Sequence, residues 1–492
     1  MHLNQLFEKR ERNQLILVSL LMEQPEEAHL KDILEKTSLS RSTLLKYIKN
    51  LNHLAKEKDF DLAVKVENDI LSLAMGHQVT KEDLIQLMLP FSVKIKILNY
   101  LYLKNEFTVQ KLSQELFISE ATLHRQLASL NECLEEFGIS IKNGRLRGEE
   151  HQIRYFYYQL YWLIVPKKEM SERFDFAQFE KIINTIKMTW VTDISTTNEY
   201  KLALWFSITK KRIRIENKNF KTLKKQMKIY QNHRFYLQLR QQTLRYLSRY
   251  ALEVEEEEVM SQFIFITTMS ILSPHVMERK LGYGGPVSDG TTIGLRFIRS
   301  IVPSGENLNE QGMYTLNQVL GQLYFFKGAL IDRSYRLDEG LTIIGSQMTS
   351  EHEKLAEEMI REVAKEVYGL KTDEYGDLFF KMRWSIMEVL SYVIYQTPRN
   401  IIIGVDLAGS ETERLPILTV LRQHLEVNRL VMLEPWQEKK SFDFVISNAY
   451  SQTYENKIYY LKGEPNLFDI YQLDDLINNY LTDKNNESET SL

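Results

Sequence analysis

Two short runs of the sequence line long, hydrogen-bonding side chains along one side of a helix, each beginning at a serine able to cap it. In the first, Ser40 leads into Arg41, Ser42, Lys46, Tyr47, Lys49 and Asn50, while Leu44, Ile48 and Leu51 recur at helical spacing and claim the buried side. In the second, Ser119 and Thr122 lead into His124, Arg125 and Gln126, over Leu123, Leu127 and Leu130. Guanidinium, ammonium, hydroxyl, amide and imidazole groups on one helix face are the chemistry needed to reach base edges and phosphates from a major groove.

The two runs are copies at an offset of 79 residues. Leu39, Ser40 and Thr43 become Ile118, Ser119 and Thr122; Leu44, Ile48 and Leu51 become Leu123, Leu127 and Leu130; Asn52 becomes Asn131. Outward positions do not repeat, because Arg41, Lys46 and Tyr47 become Glu120, Arg125 and Gln126. A retained core with a changed outer face predicts one helix-turn-helix fold used twice on different DNA sequences. In the first copy a helix over 30–36, a turn over 37–39 and a second helix over 40–52 are expected. Each copy then continues into a candidate wing. Residues 139–147 alternate about Asn143-Gly144, a strong hairpin signal, and present Lys142, Arg145 and Arg147 to phosphates. Residues 62–66 and 70–73 flank the acidic turn Glu67-Asn68-Asp69, so the second wing is the better expected DNA contact.

These units need a scaffold, and the chain is long enough for several. Its 492 residues predict three to five domains, and 43% hydrophobic with 26% charged residues is a globular composition. Residues 1–10 hold no apolar signal segment, and the apolar run at 15–22 is far shorter than the roughly 20 residues of a membrane span. A single cysteine, Cys133, leaves no intramolecular disulfide framework and no CxxC metal site, which fits a reducing cytoplasm. No membrane association is expected. Residues 1–150 carry 20 Lys/Arg against 22 Asp/Glu, whereas 201–250 carry 14 Lys/Arg against Glu216 alone, followed by Glu253 and Glu255 to Glu258. The basic run, with Lys210-Lys211-Arg212-Ile213-Arg214 and residues 221–228 on long helices, reads as an auxiliary phosphate-contact surface, a solvated face or a partner of that acidic run.

Helical periodicity dominates residues 11–164 and 171–396, with a break at Gly282-Tyr283-Gly284-Gly285-Pro286; the glycines from 282 to 290 read as a linker between two bundles. Beyond Pro398, strand patterns at 401–405, 429–433, 442–446 and 457–461 alternate with a helix over 415–425 and a last helix ending near Leu481. That alternation predicts an α/β domain with a largely parallel sheet, then a polar disordered tail. The fold class is thus mainly α and multidomain. Expected boundaries are a first winged helix-turn-helix over 1–75, a second over 76–166, helical bundles over 170–285 and 286–397, an α/β domain over 398–482 and a tail over 483–492.

Catalytic signatures are missing. The sequence has no GxxxxGK[ST] loop, no GxGxxG after a strand and no HExxH, and Glu351-His352-Glu353 lacks a second zinc ligand. Neither an enzyme nor a cofactor is expected. Tight specific DNA binding usually needs more than one docked unit, so a homodimer or larger assembly is expected as well.

In its two winged units, paired helical bundles and small C-terminal α/β domain, the chain resembles the Mga/AtxA-type virulence and global regulators of Gram-positive bacteria. The resemblance covers nearly the whole chain as domain order and is most specific in the helix-turn-helix units. It implies that the bundles are PRD-like modules, which sense sugar-phosphotransferase status through histidine phosphorylation by a phosphocarrier protein. It also implies that the C-terminal domain is enzyme IIB-like and serves self-association, and that the protein is an activator working with RNA polymerase. This sequence departs from that pattern in its histidines. Residues 202–208, 263–269, 316–326 and 384–395 carry none, and the bundles' His233, His275 and His352 lie elsewhere. His233 is the best candidate phosphorylation site of the three, beside Arg234 and Lys228. The loop at 406–412 holds neither cysteine nor histidine to carry a phosphoryl group, and His424 lies further on. Two alternatives follow. A PRD-type RNA-binding antiterminator is disfavoured by the helical, winged N-terminus, and a phosphotransfer carrier is disfavoured by the missing acceptors.

Overall fold

The computed structural model describes the chain apart from residues 24–27, 191–193, 250–253, 282–284, 301–309, 332–349, 371–375, 397–400, 427–430, 438–439, 449–456, 463–464 and 490–492. It divides into one unit of residues 1–301 with 307–391 and a second of 302–306 with 392–492. Helices predominate throughout, and the chain is a mainly α, multidomain protein.

The first unit opens with α1 (Lys9–Glu23), β1 (Ala28–His29), α2 (Leu30–Thr37), α3 (Arg41–Glu57), β2 (Leu62–Glu67) and β3 (Ile70–Met75); the strands pair antiparallel in the order β1-β3-β2. The pattern then recurs as α4 (Lys81–Met88), α5 (Val93–Lys104), α6 (Val109–Glu115), α7 (Glu120–Glu135) and the hairpin β4 (Ser140–Lys142) with β5 (Arg145–Arg147). Both hairpins close on two residues of positive φ, Asn68-Asp69 (50° and 64°) and Asn143-Gly144 (51° and 69°). Paired left-handed residues give a turn whose twist matches the strands it joins. Gly144 is obligatory, since a Cβ there would overlap the Phe107 carbonyl.

Helix α8 (Glu150–Ile164) follows the second wing and is buried on nearly every side. Around and after it come α9 (Lys167–Arg173), α10 (Glu180–Trp190), α11 (Thr196–Arg212), α12 (Lys221–Met227), α13 (Arg234–Leu247), α14 (Glu256–Thr268) and α15 (Pro274–Leu281). The unit continues with α16 (Gly285–Arg299), α17 (Glu310–Phe325), α18 (Ser350–Glu362) and α19 (Gly376–Gln396) as far as residue 391. One apolar cluster joins residues from the N-terminal segment through the bundle to Leu330, so the helix-turn-helix elements and the bundle around α8 share a core.

That shared core contains charge. Arg154 on α8 is fully buried; it donates to Glu150 (2.9 Å) and in a fork to both oxygens of Glu258 on α14 (2.5 and 2.9 Å). Arg212, at the end of α11, donates to both oxygens of Glu150 (2.8 and 2.9 Å), and Lys218 reaches Glu258 at 3.0 Å. Burial pushes the Glu150 carboxyl up, but Arg212 and Arg154 outweigh it and hold the group below its ordinary value.

Several expectations need correcting. Residues 285–290 are not linker: Gly290 lies inside α16, where a Cβ would crowd Val363 and the Tyr368 hydroxyl, so the glycine admits close helix packing. Residues 221–227 form a seven-residue helix, too short for the long basic helix expected. The basic run also does not act as one surface. Lys218 pairs with Glu255 and Glu258, Lys224 with Glu257, and Arg240 with Glu256, so part of it meets the acidic run.

In the second unit β6 (Ile401–Asp406), α20 (Glu411–Leu425), β7 (Val431–Pro435), β8 (Phe444–Ser447), β9 (Lys457–Tyr460) and α21 (Leu467–Glu489) build a wholly parallel sheet in the order β7-β6-β8-β9. Helix α20 begins four residues before the expected Leu415, because Ser410 and Glu413 form a capping box. Helix α21 runs to Glu489 rather than stopping near Leu481, so the tail expected to be disordered is helical over 483–489. No glycine or proline interrupts it. Residues 490–492 and part of the strand expected at 429–433 lie outside the described residues.

Removing one member of the buried ion cluster leaves the others uncompensated. Arg154→Met is expected to lower unfolding free energy in urea by about 3–5 kcal/mol, whereas Arg240→Ala, at a half-exposed pair, should cost under about 1 kcal/mol. Because the folded Glu150 carboxyl lies below its unfolded value, its contribution is complete above about pH 4.3 and is lost as pH falls through the folded value. The melting temperature of the wild type should therefore drop more steeply in acid than that of Arg154→Met.

Candidate nucleic-acid interface

Each helix-turn-helix is held by the same local devices. Ser40 accepts a hydrogen bond from the Thr43 amide at 3.3 Å, and Ser119 accepts one from Thr122 at 3.1 Å. The hydroxyls within each pair lie 2.8 and 2.9 Å apart. The turn before each cap passes through one left-handed residue, Ser38 (φ 52°) and Phe117 (φ 54°), again 79 positions apart. In both units an asparagine then clamps the wing to the second helix. Asn52 donates to the Val64 carbonyl and accepts from the Val64 amide (both 2.8 Å); Asn131 treats Ile141 likewise (3.1 and 2.6 Å). The repeat of Asn52 as Asn131 was the visible signal of a role that sequence reasoning did not assign.

The outward side chains divide into several groups. Arg41, Ser42, Lys46 and Lys49 are exposed along α3, with Tyr47 and Asn50 half-buried beside them. Arg41 spans to the wing turn of its own unit and pairs with Asp69 at 2.6 Å, an interaction that raises the guanidinium and lowers the carboxyl. On α7, His124 and Arg125 are exposed, while Ser119 and Thr122 are occupied as the cap pair. Gln126 is the correction: only 9% exposed, its amide donates to Glu8 at 3.0 Å, so it ties α7 to the N-terminal segment and leaves the outer face. Lys142, Arg145 and Arg147 are exposed on the second wing, with Arg145 paired to Glu106 just ahead of α6.

Phe117 was missed. Its ring is 95% exposed in the turn that leads into α7, at a backbone conformation that costs a residue with a Cβ. His151 was missed too. It is buried on α8, its imidazole pushed down to about 4 by desolvation, with Nε2 3.3 Å from the Phe325 carbonyl. Among the candidate phosphorylation sites, His233 is the N-cap of α13, its Nδ1 accepting from the Phe235 amide at 3.2 Å. His275 is exposed on α15, and His352 lies on α18, its side chain outside the described residues. In the second unit the loop after β6 is closed by Asn448, which accepts from the Ala408 amide at 2.7 Å; His424 is exposed near the end of α20.

The asparagine clamp gives a direct test. Asn131→Ala strands one wing amide and one wing carbonyl, and should cost about 1–3 kcal/mol of stability. Hydrogen exchange at Ile141 should quicken while exchange in α8 stays slow. Unchanged exchange at Ile141 would mean that the clamp does not hold the wing.

Among the described residues no single helix is long and apolar enough to cross a membrane. No curated protein sequence matches the chain. Residues 77–161, which run from just before α4 through α7 and the second wing into α8, match the family model of the Mga helix-turn-helix domain. The chain therefore carries the helix-turn-helix domain of the Mga family of DNA-binding transcription regulators, consistent with a Mga-type regulator.

Proposed function

We propose that this protein is a cytoplasmic transcriptional regulator that reads duplex DNA with two helix-turn-helix units at once. The observation that carries the reading is the repeat. Cap, left-handed turn, buried leucine face and wing clamp recur at 79 residues, while the outward residues change. Structural demands explain what recurs. They do not explain why the changed positions hold Arg41, Ser42, Lys46 and Lys49 in one copy and His124 and Arg125 in the other, with Lys142, Arg145 and Arg147 on the second wing. Donor groups on a helix with an adjacent basic hairpin suit base edges and flanking phosphates respectively. The Arg41–Asp69 and Arg145–Glu106 pairs are exposed, so a phosphate can replace either carboxylate at small cost. Phe117 adds an apolar contact for a thymine methyl or a sugar beside α7.

The bundles serve as the regulatory part, and the C-terminal α/β unit as the self-association part, of an activator that works with RNA polymerase. Histidine phosphorylation by a phosphocarrier is not part of the proposal. His233 is engaged as a helix cap, and the helices where the resemblance would place acceptors carry none.

The reading is tested by fluorescence anisotropy on duplex DNA and on an RNA hairpin over a salt series. Duplex should bind preferentially. Arg41→Ala with Lys46→Ala, and Arg125→Ala with Arg145→Ala, should each weaken it, and the log–log salt slope should flatten by about 0.9 for every phosphate that is no longer neutralised. Phe117→Gly should weaken duplex binding with the slope unchanged and without lowering the melting temperature, since glycine relieves the left-handed strain. Equal binding of the RNA hairpin, or indifference to both double substitutions, contradicts the reading.

A further inference from the structure

A cleft of about 690 Å³ opens in the first unit between the C-terminal end of α5, the end of α8, the segment joining α9 to α10 and the last turn of α11. That volume suits a small ligand. Its charge is one-sided: Arg173, Lys210, Lys211 and Arg214 line it against the single carboxylate of Asp175. Its floor is aromatic, formed by the buried rings of Tyr102, Tyr161 and Phe174, and Arg173 lies 6.0 Å over the Tyr161 ring. Neutral hydrogen-bonding groups complete the wall, among them Asn105, Gln178 and Ser207.

The surroundings separate this cleft from the rest of the basic run. Lys218, Lys224 and Arg240 meet carboxylates of the acidic run, and Arg212 is spent inside on Glu150. The cations that face the cleft gather around one concave, partly aromatic space, where Lys210 donates to the Gln178 amide oxygen. Four positive side chains around one acid favour a multiply charged anion, and guanidinium and ammonium groups together match the terminal oxygens of a phosphate. An aromatic floor with amide and hydroxyl groups has no use for a bare ion, but it suits the body of an organic molecule. A DNA backbone runs over a surface and would not fill such a recess.

We propose that the cleft binds the phosphate monoester of a small metabolite, gripped between α5 of the Mga-type domain and α11 of the bundle. Helix α5 brings Asn105, directly before Glu106, which pairs with Arg145 of the second wing. A ligand there therefore touches Asn105, one residue from the partner of the wing's Arg145, and the bundle together. The site itself does not depend on the DNA-reading proposal, because ligand binding is measured on the protein alone.

The test is calorimetry and thermal shift on the full chain with glucose 6-phosphate, glycerol 3-phosphate and adenosine 5′-monophosphate, with inorganic phosphate and glucose as comparisons. At least one ester should bind and raise the melting temperature, more tightly than inorganic phosphate, and glucose should not bind. Arg173→Ala and Lys211→Ala should each weaken that ester roughly 10- to 100-fold, while Lys225→Ala, an exposed cation on α12, should not. Failure of all three esters to bind, or equal binding of inorganic phosphate, overturns the proposal. So does a result in which Arg173→Ala and Lys211→Ala leave ester binding intact but weaken duplex DNA and flatten its salt slope, since the cleft would then be a DNA-backbone contact. Ester binding in a protein that ignores duplex DNA would leave this site standing while overturning the DNA reading.

Discussion

Arg154 lies without solvent between two carboxylates, and the geometry of the first unit follows from satisfying it. An isolated guanidinium so deep would cost several kcal/mol; here Glu150 and Glu258 take its donors, Arg212 shares Glu150 and Lys218 shares Glu258. The cluster joins α8, which continues directly from the second wing, to α11 and α14 of the bundle. Hydrophobic contacts alone would tolerate sliding of one helix on another. Forked, charge-assisted bonds fix a register. The second helix-turn-helix is thereby mounted on the bundle.

Each helix-turn-helix unit spends few residues on rigidity. A serine cap, one left-handed turn residue and one asparagine clamp hold the second helix and its wing, and the remaining outer positions are free to differ. Phe117 shows the contrast. At the position where the first unit has the small polar Ser38, the second places an exposed aromatic ring in the same strained backbone. Packing gives no reason for it, which is why it is assigned to the bound partner.

Much of this was legible in the sequence. Helix periodicity, Ser40 and Ser119 as caps, and Asn143-Gly144 as a hairpin are local signals, and the parallel strands after residue 400 announce themselves by short apolar runs. What sequence could not supply was long-range pairing. Gln126 occupies an outward position in the helical repeat, but Glu8, 118 residues earlier, draws it inside. The basic run of 201–250 looks uniform as a string, but the fold sends part of it to the acidic run and part to a cleft. Gly290 reads as a linker residue until Val363 and Tyr368, from the one segment that follows α18, pack against it. The buried ion cluster was equally hidden, because its members lie on α8, α11 and α14 and in the loop after α11, far apart in sequence.

The central claim is that the outer faces of α3 and α7 both lie against duplex DNA. The single native cysteine makes this directly measurable. In a Cys133→Ser background, cysteines placed at Ser42 and Ala121, equivalent exposed positions 79 residues apart, can carry a photoactivated crosslinker. A third, at exposed Lys168, serves as reference. The account predicts crosslinks to duplex DNA from both Ser42 and Ala121 and none from Lys168. Crosslinking from neither reading face, or no more than from Lys168, would contradict it.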